Sequence, residues 1–215
     1  MRVFLTGANG FVGSAVARRL VAEGHDITCL LRDTSDVGRI NMLPFTRAAG
    51  DVRDVASLRD GMRACDCTIH LAAPGSWEQD DPALLRAVIE EGTRHVLDAA
   101  AERRGHRVVM VSSTAAIAAS NHPVVFDERT PFSLPDQALH YAWAKHRAES
   151  IASDAFARGV PVVVVNPAEI YGPHDTGLVT AGTSSTLRHR HPCSYAEAAL
   201  ASFMSTTWPR ASSRR

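Results

Sequence analysis

One stretch decides the fold of this 215-residue chain: Thr6-Gly7-Ala8-Asn9-Gly10-Phe11-Val12-Gly13. It follows the apolar run 3–6 directly and opens a segment whose apolar residues have helical spacing. Glycines at such intervals let the backbone turn tightly, approach an anion and pack the helix on the strand. The N–H groups at the start of the helix face that anion. The stretch therefore predicts a strand–turn–helix unit that holds a pyrophosphate, with a plain glycine turn as the alternative.

The rest of the chain continues this alternation. Apolar runs predict strands at 3–6, 27–31, 45–49, 67–71, 107–112 and 160–166. Helical spacing predicts helices at 11–23, 55–62, 82–104 and 139–158. Strands that alternate with helices form a parallel sheet covered on both faces. We therefore predict an α/β, doubly wound parallel sheet that binds ligands at the carboxyl ends of its strands.

Composition excludes several classes of protein. The 23 basic and 23 acidic side chains balance, which argues against nucleic acid or an anionic membrane surface as the main partner. No apolar stretch approaches the roughly 20 residues that span a bilayer. The four cysteines lack the spacing of a zinc site, which predicts reduced thiols. The segment before Gly7 is too short for a signal peptide, so we expect a cytoplasmic protein. His174, His189 and His191 lack partner ligands at suitable spacing, so no metal site is expected.

Tyr141 and Lys145 are spaced one helical turn apart, and Lys145 is the only lysine in the chain. An ammonium beside the phenol would lower the tyrosine pKa from about 10 toward working pH. The tyrosine could then exchange a proton with a carbonyl or an alcohol. A surface pair on an amphipathic helix is the alternative. Three hydroxyl residues follow the fifth predicted strand, Ser112-Ser113-Thr114, where one could bind the reacting oxygen or form a structural turn.

Together these motifs resemble the extended short-chain dehydrogenase/reductases, also called the NAD-dependent epimerase/dehydratase family. The resemblance runs from Met1 to about Gly182 and implies a Rossmann fold. It also rests on Gly50-Asp51-Val52-Arg53-Asp54, His70-Leu71-Ala72-Ala73, Gly92-Thr93, Asp127-Glu128, Asn166-Pro167 and Tyr171-Gly172-Pro173. One departure is Ile89, where many members carry Asn. That difference affects a secondary polar contact.

The resemblance implies roles for individual residues. Asp51 and Val52 would contact the adenine, and Ala72 and Ala73 would line the cofactor channel. The full set of implied cofactor-binding residues is Gly7, Gly10, Phe11, Val12, Gly13, Arg32, Asp51, Val52, Ala72, Ala73, Tyr141, Lys145, Asn166 and Pro167.

The implied catalytic residues are Ser113, Tyr141 and Lys145. Ser113 best matches the hydroxyl that polarises the reacting oxygen, with Ser112 and Thr114 as register alternatives. Tyr141 would be the acid/base, and Lys145 would bind the nicotinamide ribose.

The end of the second strand addresses cofactor choice. It reads Leu30-Leu31-Arg32-Asp33. An arginine here accommodates the 2′-phosphate of NADP, whereas an acidic residue binds the 2′-hydroxyl of NAD. Arg32 therefore predicts NADP, as in dihydroflavonol-reductase-like members. Because Asp33 is acidic, NAD stays the alternative cofactor. A further alternative is that Arg32 is only a solvent-exposed charge with no role in cofactor binding.

The predicted reaction is hydride transfer between a nicotinamide and a carbonyl or alcohol carbon, as in a ketone or aldehyde reductase. The substrate would be a small-molecule carbonyl compound or a sugar nucleotide. The alternatives are a nucleotide-sugar epimerase or dehydratase, and a dinucleotide-binding protein with little or no turnover. The resemblance is also compatible with a homodimer that pairs the helices at 82–104 and 139–158.

The composition changes from Thr183 onward, where strand–helix alternation stops. We expect a nucleotide-binding domain at 1–182 and an irregular basic tail at 183–215, with the substrate lobe largely missing.

If the reading frame moves by one base, Trp208-Pro209 must read Ala. With G at the free third positions and C for Phe203, residues 202–210 become Val-His-Val-Asp-Asp-Val-Ala-Ala, which is similar to what the family carries downstream. This predicts a frame-shifted tail, with a natural divergent variant as the alternative.

Overall fold

The computed structural model describes residues 1–74, 81–120, 122–127, 129–134, 139–168, 170–173 and 175. Six strands form one sheet: β1 (Arg2–Thr6), β2 (Asp26–Leu31), β3 (Thr46–Ala49), β4 (Cys67–His70), β5 (Arg107–Val111) and β6 (Val162–Val165). All neighbours are parallel, in the order β3-β2-β1-β4-β5-β6. The sheet confirms the predicted doubly wound fold. The strand order reverses between β1 and β4, which is where such sheets open a ligand crevice.

The helices are α1 (Phe11–Ala22), α2 (Val55–Met62), α3 (Pro82–Leu85), α4 (Gly92–Ala101) and α5 (His140–Ala157). A short 3₁₀ turn, Thr114–Ala116, follows β5. The predicted helix at 82–104 is helical without a break from Pro82 to Ala101, but a π-helical stretch, Arg86–Glu91, lies between α3 and α4. A π turn takes an extra residue, which turns Ile89 and its neighbour Glu90 inward together. Apolar spacing does not reveal such an insertion.

The core lies in two layers, one on each face of the sheet. Successive residues of β1 point to opposite faces, so Phe4 enters one layer while Val3 and Leu5 enter the other. The layer around Phe4 is built with α2, α4 and α5, and includes Leu58, Met62, Val96, Leu97, Ala148 and Ile151. The opposite layer is built with α1, and includes Val16, Leu20, Ile27 and Ile40. The strands β1, β2, β4 and β5 are largely buried, while the edge strands β3 and β6 are more exposed.

Several expectations concern residues outside this description. The boundary at 182/183, the tail at 183–215, Glu128, Cys193 and the three histidines considered for a metal all lie outside the described residues. Within the described ranges, no helix is long and apolar enough to cross a membrane. The same part of the chain contains no group of three or more His, Cys, Asp or Glu side chains that could hold a metal. Cys29, Cys65 and Cys67 are buried free thiols.

Candidate active site

The glycine loop between β1 and α1 makes the closest backbone approaches in the site. Gly7 has a left-handed φ of +72°, and a Cβ there would lie 2.8 Å from the backbone nitrogen of Ala72 on the loop after β4. A Cβ at Gly13 would lie 1.9 Å from the Gly7 carbonyl oxygen. The Gly10 N–H donates to the same oxygen at 3.1 Å. The loop therefore forms a cradle that side chains would fill, as a pyrophosphate site requires.

Phe11 and Val12 are the first two residues of α1, after the N-cap Gly10. No side chain caps this helix, so its first N–H groups are directed at the cradle. Phe11 also connects the loop to the end of the described chain, because a Cβ at Gly172 would lie 3.6 Å from the Phe11 ring. The predicted anion site is thus assembled from backbone groups.

A cavity of about 400 Å³ opens beside this loop, at the switch point of the sheet. Six predicted cofactor-binding residues line it: Gly7, Arg32, Asp51, Val52, Ala72 and Ala73. It is also lined by residues that the sequence analysis did not select: Thr6, Asn9, Leu30, Ser35, Gly50, Pro74, Leu84 and Val88. Their positions in the sequence could have indicated them, because most of them neighbour a motif residue or follow a strand.

Arg32 and Asp33, which follow β2, lie in different surroundings. Arg32 lines the cavity, and its charge is one of the causes that lower the pKa of Asp51. The first cause of that lowered pKa is the hydrogen bond from Arg53, whose guanidinium lies 2.8 Å from the Asp51 carboxylate. The Asp33 side chain is 96% exposed and pairs with Arg47 at 3.6 Å, outside the cavity lining. The basic residue, and not its acidic neighbour, therefore faces the cavity.

Val52 depends on a glycine elsewhere in the chain. It is buried, and a Cβ at Gly92 would lie 2.9 Å from its side chain. The Val52 carbonyl oxygen lies 3.0 Å from Nδ1 of His95 on α4. The Gly92-Thr93 motif thus makes room for the strand-end residue that lines the cavity.

A buried network fixes the loop after β4. Thr6 Oγ1 accepts hydrogen bonds from the N–H groups of Leu71 and Ala72 at 3.3 and 3.2 Å. The same hydroxyl lies 2.7 Å from His70 Nδ1, and His70 Nε2 lies 3.2 Å from Thr93 Oγ1. Burial, helped by the nearby Lys145 charge, lowers the pKa of His70 to about 3. A neutral His70 has one N–H group, and Thr6 Oγ1 already accepts two backbone hydrogen bonds. We therefore infer that Thr6 donates to Nδ1 and that His70 donates from Nε2 to Thr93.

Ser113, Tyr141 and Lys145 come together at the carboxyl end of β5. Tyr141 hydrogen-bonds Ser113. The Lys145 ammonium donates to the Val111 carbonyl oxygen at 2.9 Å and lies 5.8 Å from the centre of the Tyr141 ring. Burial lowers the pKa of Lys145 to about 8, against the opposing effect of Glu149.

The structure also distinguishes the three hydroxyl residues after β5. Ser113 hydrogen-bonds Tyr141, whereas Ser112 is buried and donates to Glu149. Thr114 is exposed, and its N–H donates to the Pro167 carbonyl oxygen at 3.0 Å. Ser113 is therefore the hydroxyl residue that the fold brings to the tyrosine.

The expected direction of the shift in the tyrosine pKa was wrong. Burial raises the pKa of Tyr141, and the Ser113 hydrogen bond only partly opposes that rise. The Lys145 ammonium donates to the Val111 carbonyl oxygen and lies over the Tyr141 ring, 5.8 Å from its centre. Helical spacing correctly placed the two side chains together, but it did not determine whether the pKa of Tyr141 rises or falls.

Asn166 and Pro167 follow β6 and brace this end of the sheet. The Asn166 amide donates to the Ser113 carbonyl oxygen at 3.0 Å and to Glu149 at 2.5 Å. Neither residue lines the cavity, and neither do Ser113, Tyr141 and Lys145. The structure therefore assembles two neighbouring groups, a cavity beside the glycine loop and a hydroxyl–amine group at the end of β5. Sequence reasoning missed Glu149, although its position four residues after Lys145 was a usable signal.

This combination of fold, glycine cradle and Ser–Tyr–Lys group agrees with the sequence comparison. The model of the NAD dependent epimerase/dehydratase family matches residues 3–200. The chain belongs to this family. The match confirms the predicted family and extends beyond residue 182, where the motif resemblance was expected to end.

Individual relatives carry several activities. The chain is 34% identical to a Synechocystis sp. protein provisionally named dihydroflavonol 4-reductase, over 80% of this chain and 50% of the relative. It is 34% identical to cinnamoyl-CoA reductase 1 of Oryza sativa, over 87% of this chain and 58% of the relative. It superposes on the Thermus thermophilus UDP-glucose 4-epimerase complex with NAD at a TM-score of 0.71 and 26% identity, covering 85% and 60% of the two chains. The chain thus spans about half the length of the curated relatives it matches.

Proposed function

We propose that this chain binds NADP(H) and transfers hydride between the nicotinamide and a carbonyl or alcohol carbon, as a ketone or aldehyde reductase does. The observation that carries the proposal is the hydrogen-bonded pair of Ser113 and Tyr141 beside Lys145, next to a glycine cradle. Reductases among the relatives support the same chemistry.

The residues of the chain divide the work. The cradle around Gly7 and Gly13 fits a pyrophosphate, because its space is closed to side chains. When bound, the nicotinamide supplies or accepts the hydride. Ser113 holds the reacting oxygen by a hydrogen bond, and Tyr141 gives or takes its proton. Lys145 supplies a positive charge beside both groups, held in place by the Val111 carbonyl oxygen.

The preference for NADP rests on the end of β2. Arg32 faces the cavity together with Ser35 and Asn9, which offer a cation and two polar side chains for a 2′-phosphate. Asp33 points to solvent and pairs with Arg47, so it does not offer its carboxylate to a ribose hydroxyl in the cavity.

Binding of NADPH and NADH to the Arg32→Ala variant tests this preference. Loss of a charge-assisted contact is expected to weaken NADPH binding by about tenfold or more. NADH binding is expected to change little, because it lacks the phosphate. Asp33→Ala is the matched control and should affect neither cofactor strongly. Tighter NADH binding by the unmodified chain, or equal losses for both cofactors in Arg32→Ala, would contradict the proposal.

A second candidate is dinucleotide binding with little turnover. The cavity lining contains the residues beside the glycine loop but none of Ser113, Tyr141 and Lys145. Catalysis requires the reacting carbon to be held close to these groups. Under this second candidate, the 215-residue chain would bind the cofactor weakly and would reduce simple ketones and aldehydes poorly. Robust NADPH oxidation with such substrates would refute this expectation.

The proposal extends to partners and location. A small-molecule carbonyl compound is the favoured substrate class, with a sugar nucleotide as the alternative that the epimerase relatives suggest. A homodimer through α3, α4 and α5 and a cytoplasmic location stay predictions. Sedimentation at micromolar concentration measures the first, and the three buried free thiols support the second.

A further inference from the structure

Glu149 on α5 occupies a junction that the proposed reaction does not use. Its Oε1 atom accepts a short hydrogen bond from the Ser112 hydroxyl and another from the Asn166 amide at 2.5 Å. Ser112 follows β5 and Asn166 follows β6. One carboxylate oxygen therefore ties the ends of two strands to the helix that carries Tyr141 and Lys145.

The junction continues toward Ser113. Asn166 uses its second amide hydrogen to donate to the Ser113 carbonyl oxygen at 3.0 Å. A single amide group thereby connects the carboxylate to the backbone of the proposed oxygen-binding residue. Movement of Glu149 would move Ser113 through this contact.

Glu149 also affects Lys145 electrostatically. Glu149 is one helical turn from Lys145, and its negative charge raises the pKa of Lys145 against the lowering effect of burial. The other titratable groups facing Lys145 are Tyr141 on α5 and His70 on β4, which is neutral and buried.

The carboxylates on the helical elements packed against α5 pair with arginines and not with Lys145. Glu90 pairs with Arg147 at 3.5 Å, and Asp98 with Arg158 at 3.8 Å. Among the described residues, Glu149 is the carboxylate whose charge raises the pKa of Lys145.

We propose that Glu149 is a positioning residue that fixes the ends of β5 and β6 against α5 and places a carboxylate one helical turn from Lys145. Its consequence for turnover rests on the proposed function, in which Lys145 supplies a positive charge beside Tyr141. The geometric and electrostatic role itself concerns the protein without cofactor.

The single lysine makes a direct test simple. Labelling the full chain with ¹³C-lysine gives one lysine Cε resonance by NMR, and its chemical shift against pH reports the protonation of Lys145. Glu149→Gln isolates the charge, because the glutamine Oε1 can still accept both hydrogen bonds. We expect the titration midpoint of Lys145 to fall by about 1 pH unit in this variant, as the loss of a nearby opposite charge predicts.

Two matched variants separate the explanations. Glu90→Gln removes another inward-facing carboxylate next to α5 and is expected to leave the midpoint unchanged. Glu149→Asp retains the charge and is expected to keep the midpoint within a few tenths of a pH unit of the unmodified chain. An unchanged midpoint in Glu149→Gln, or an equal fall in Glu90→Gln, would overturn the proposal. If Glu149→Gln does not fold, a large fall in Glu149→Asp would overturn it instead.

Amide hydrogen exchange tests whether Glu149 holds the end of β5 in place. Amide exchange of residues 112–114 is expected to stay slow in Glu149→Gln and to rise in Glu149→Ala, which loses both hydrogen bonds. Equal exchange in the two variants would overturn that part of the proposal. None of these measurements needs a cofactor, so absence of NADPH binding would refute the proposed function and leave this test intact.

Discussion

Gly13→Ala is the sharpest perturbation of the glycine cradle. The added Cβ would lie 1.9 Å from the Gly7 carbonyl oxygen and 2.7 Å from the Gly7 carbonyl carbon. Both contacts are with backbone atoms, so no side chain can rotate away. Either α1 must move off β1, or the loop that begins with Gly7 must open.

The size of the effect follows from two opposed contributions. Overpacking of this kind costs about 1–3 kcal/mol or more, while alanine in place of glycine within a helix recovers about 1 kcal/mol. Because the 1.9 Å contact is with a backbone atom, we expect a cost at the upper end of that range and a net loss of about 2 kcal/mol in the free energy of unfolding. For a chain of this length that corresponds to a melting temperature lower by roughly 4–8 °C. Dinucleotide binding should weaken further, because the displaced loop carries the N–H groups of the cradle.

Thermal unfolding followed by circular dichroism, with titration of NADPH, measures both effects. Gly10→Ala is the matched control from the same loop, because its Cβ would approach only the Gly7 oxygen, at 3.3 Å. We expect its melting temperature to change by less than half as much. A Gly13→Ala protein that melts with the unmodified chain, or no earlier than Gly10→Ala, would refute the steric argument.

Three other predictions address the chemistry, the pH dependence and the tail. Tyr141→Phe should reduce any measured turnover by about 100-fold or more, because the proton donor is lost, while NADPH affinity changes little; unchanged turnover in steady-state assays would refute the role. The pKa of His70 is about 3 in the folded protein and about 6.5 when unfolded, so its contribution to stability is complete above pH 6.5 and is lost as the pH falls toward 3. In urea unfolding between those values, His70→Gln should show a weaker pH dependence by about 1 kcal/mol per pH unit, and an identical slope would contradict the buried neutral histidine. Sequencing codons 180–215 should show a shifted frame that continues the Val-His-Val-Asp-Asp-Val-Ala pattern, and a stop codon in that frame would refute the frame-shift hypothesis.

The fold could be predicted because its signals are local. Every strand except β3 is a short apolar run, and the helices have periodic apolar residues, so the order of the elements can be read along the chain. The exception is the π-helical stretch after Leu85, where one extra residue changes the register without changing the composition. Periodicity averages over such an insertion.

The candidate site was predictable where one motif contains the whole geometry. Gly7, Gly10 and Gly13 lie within seven residues, and their spacing describes their shared turn. Ser35, Leu84 and Val88 line the same cavity from distant segments. No spacing rule connects them, since only the packing of the π-helical stretch and of the loop after β2 brings them together.

By itself the sequence determined the parallel sheet, the glycine turn after β1 and the pairing of Tyr141 with Lys145, because backbone conformation and helical periodicity act between near neighbours. Only the tertiary structure decided that Ser113 rather than Ser112 meets the tyrosine, and that burial raises the tyrosine pKa. It also decided that Glu149 joins two strand ends to α5. Burial and hydrogen bonding across the sheet depend on residues far apart in the chain, and their free energies exist only once those residues are packed together.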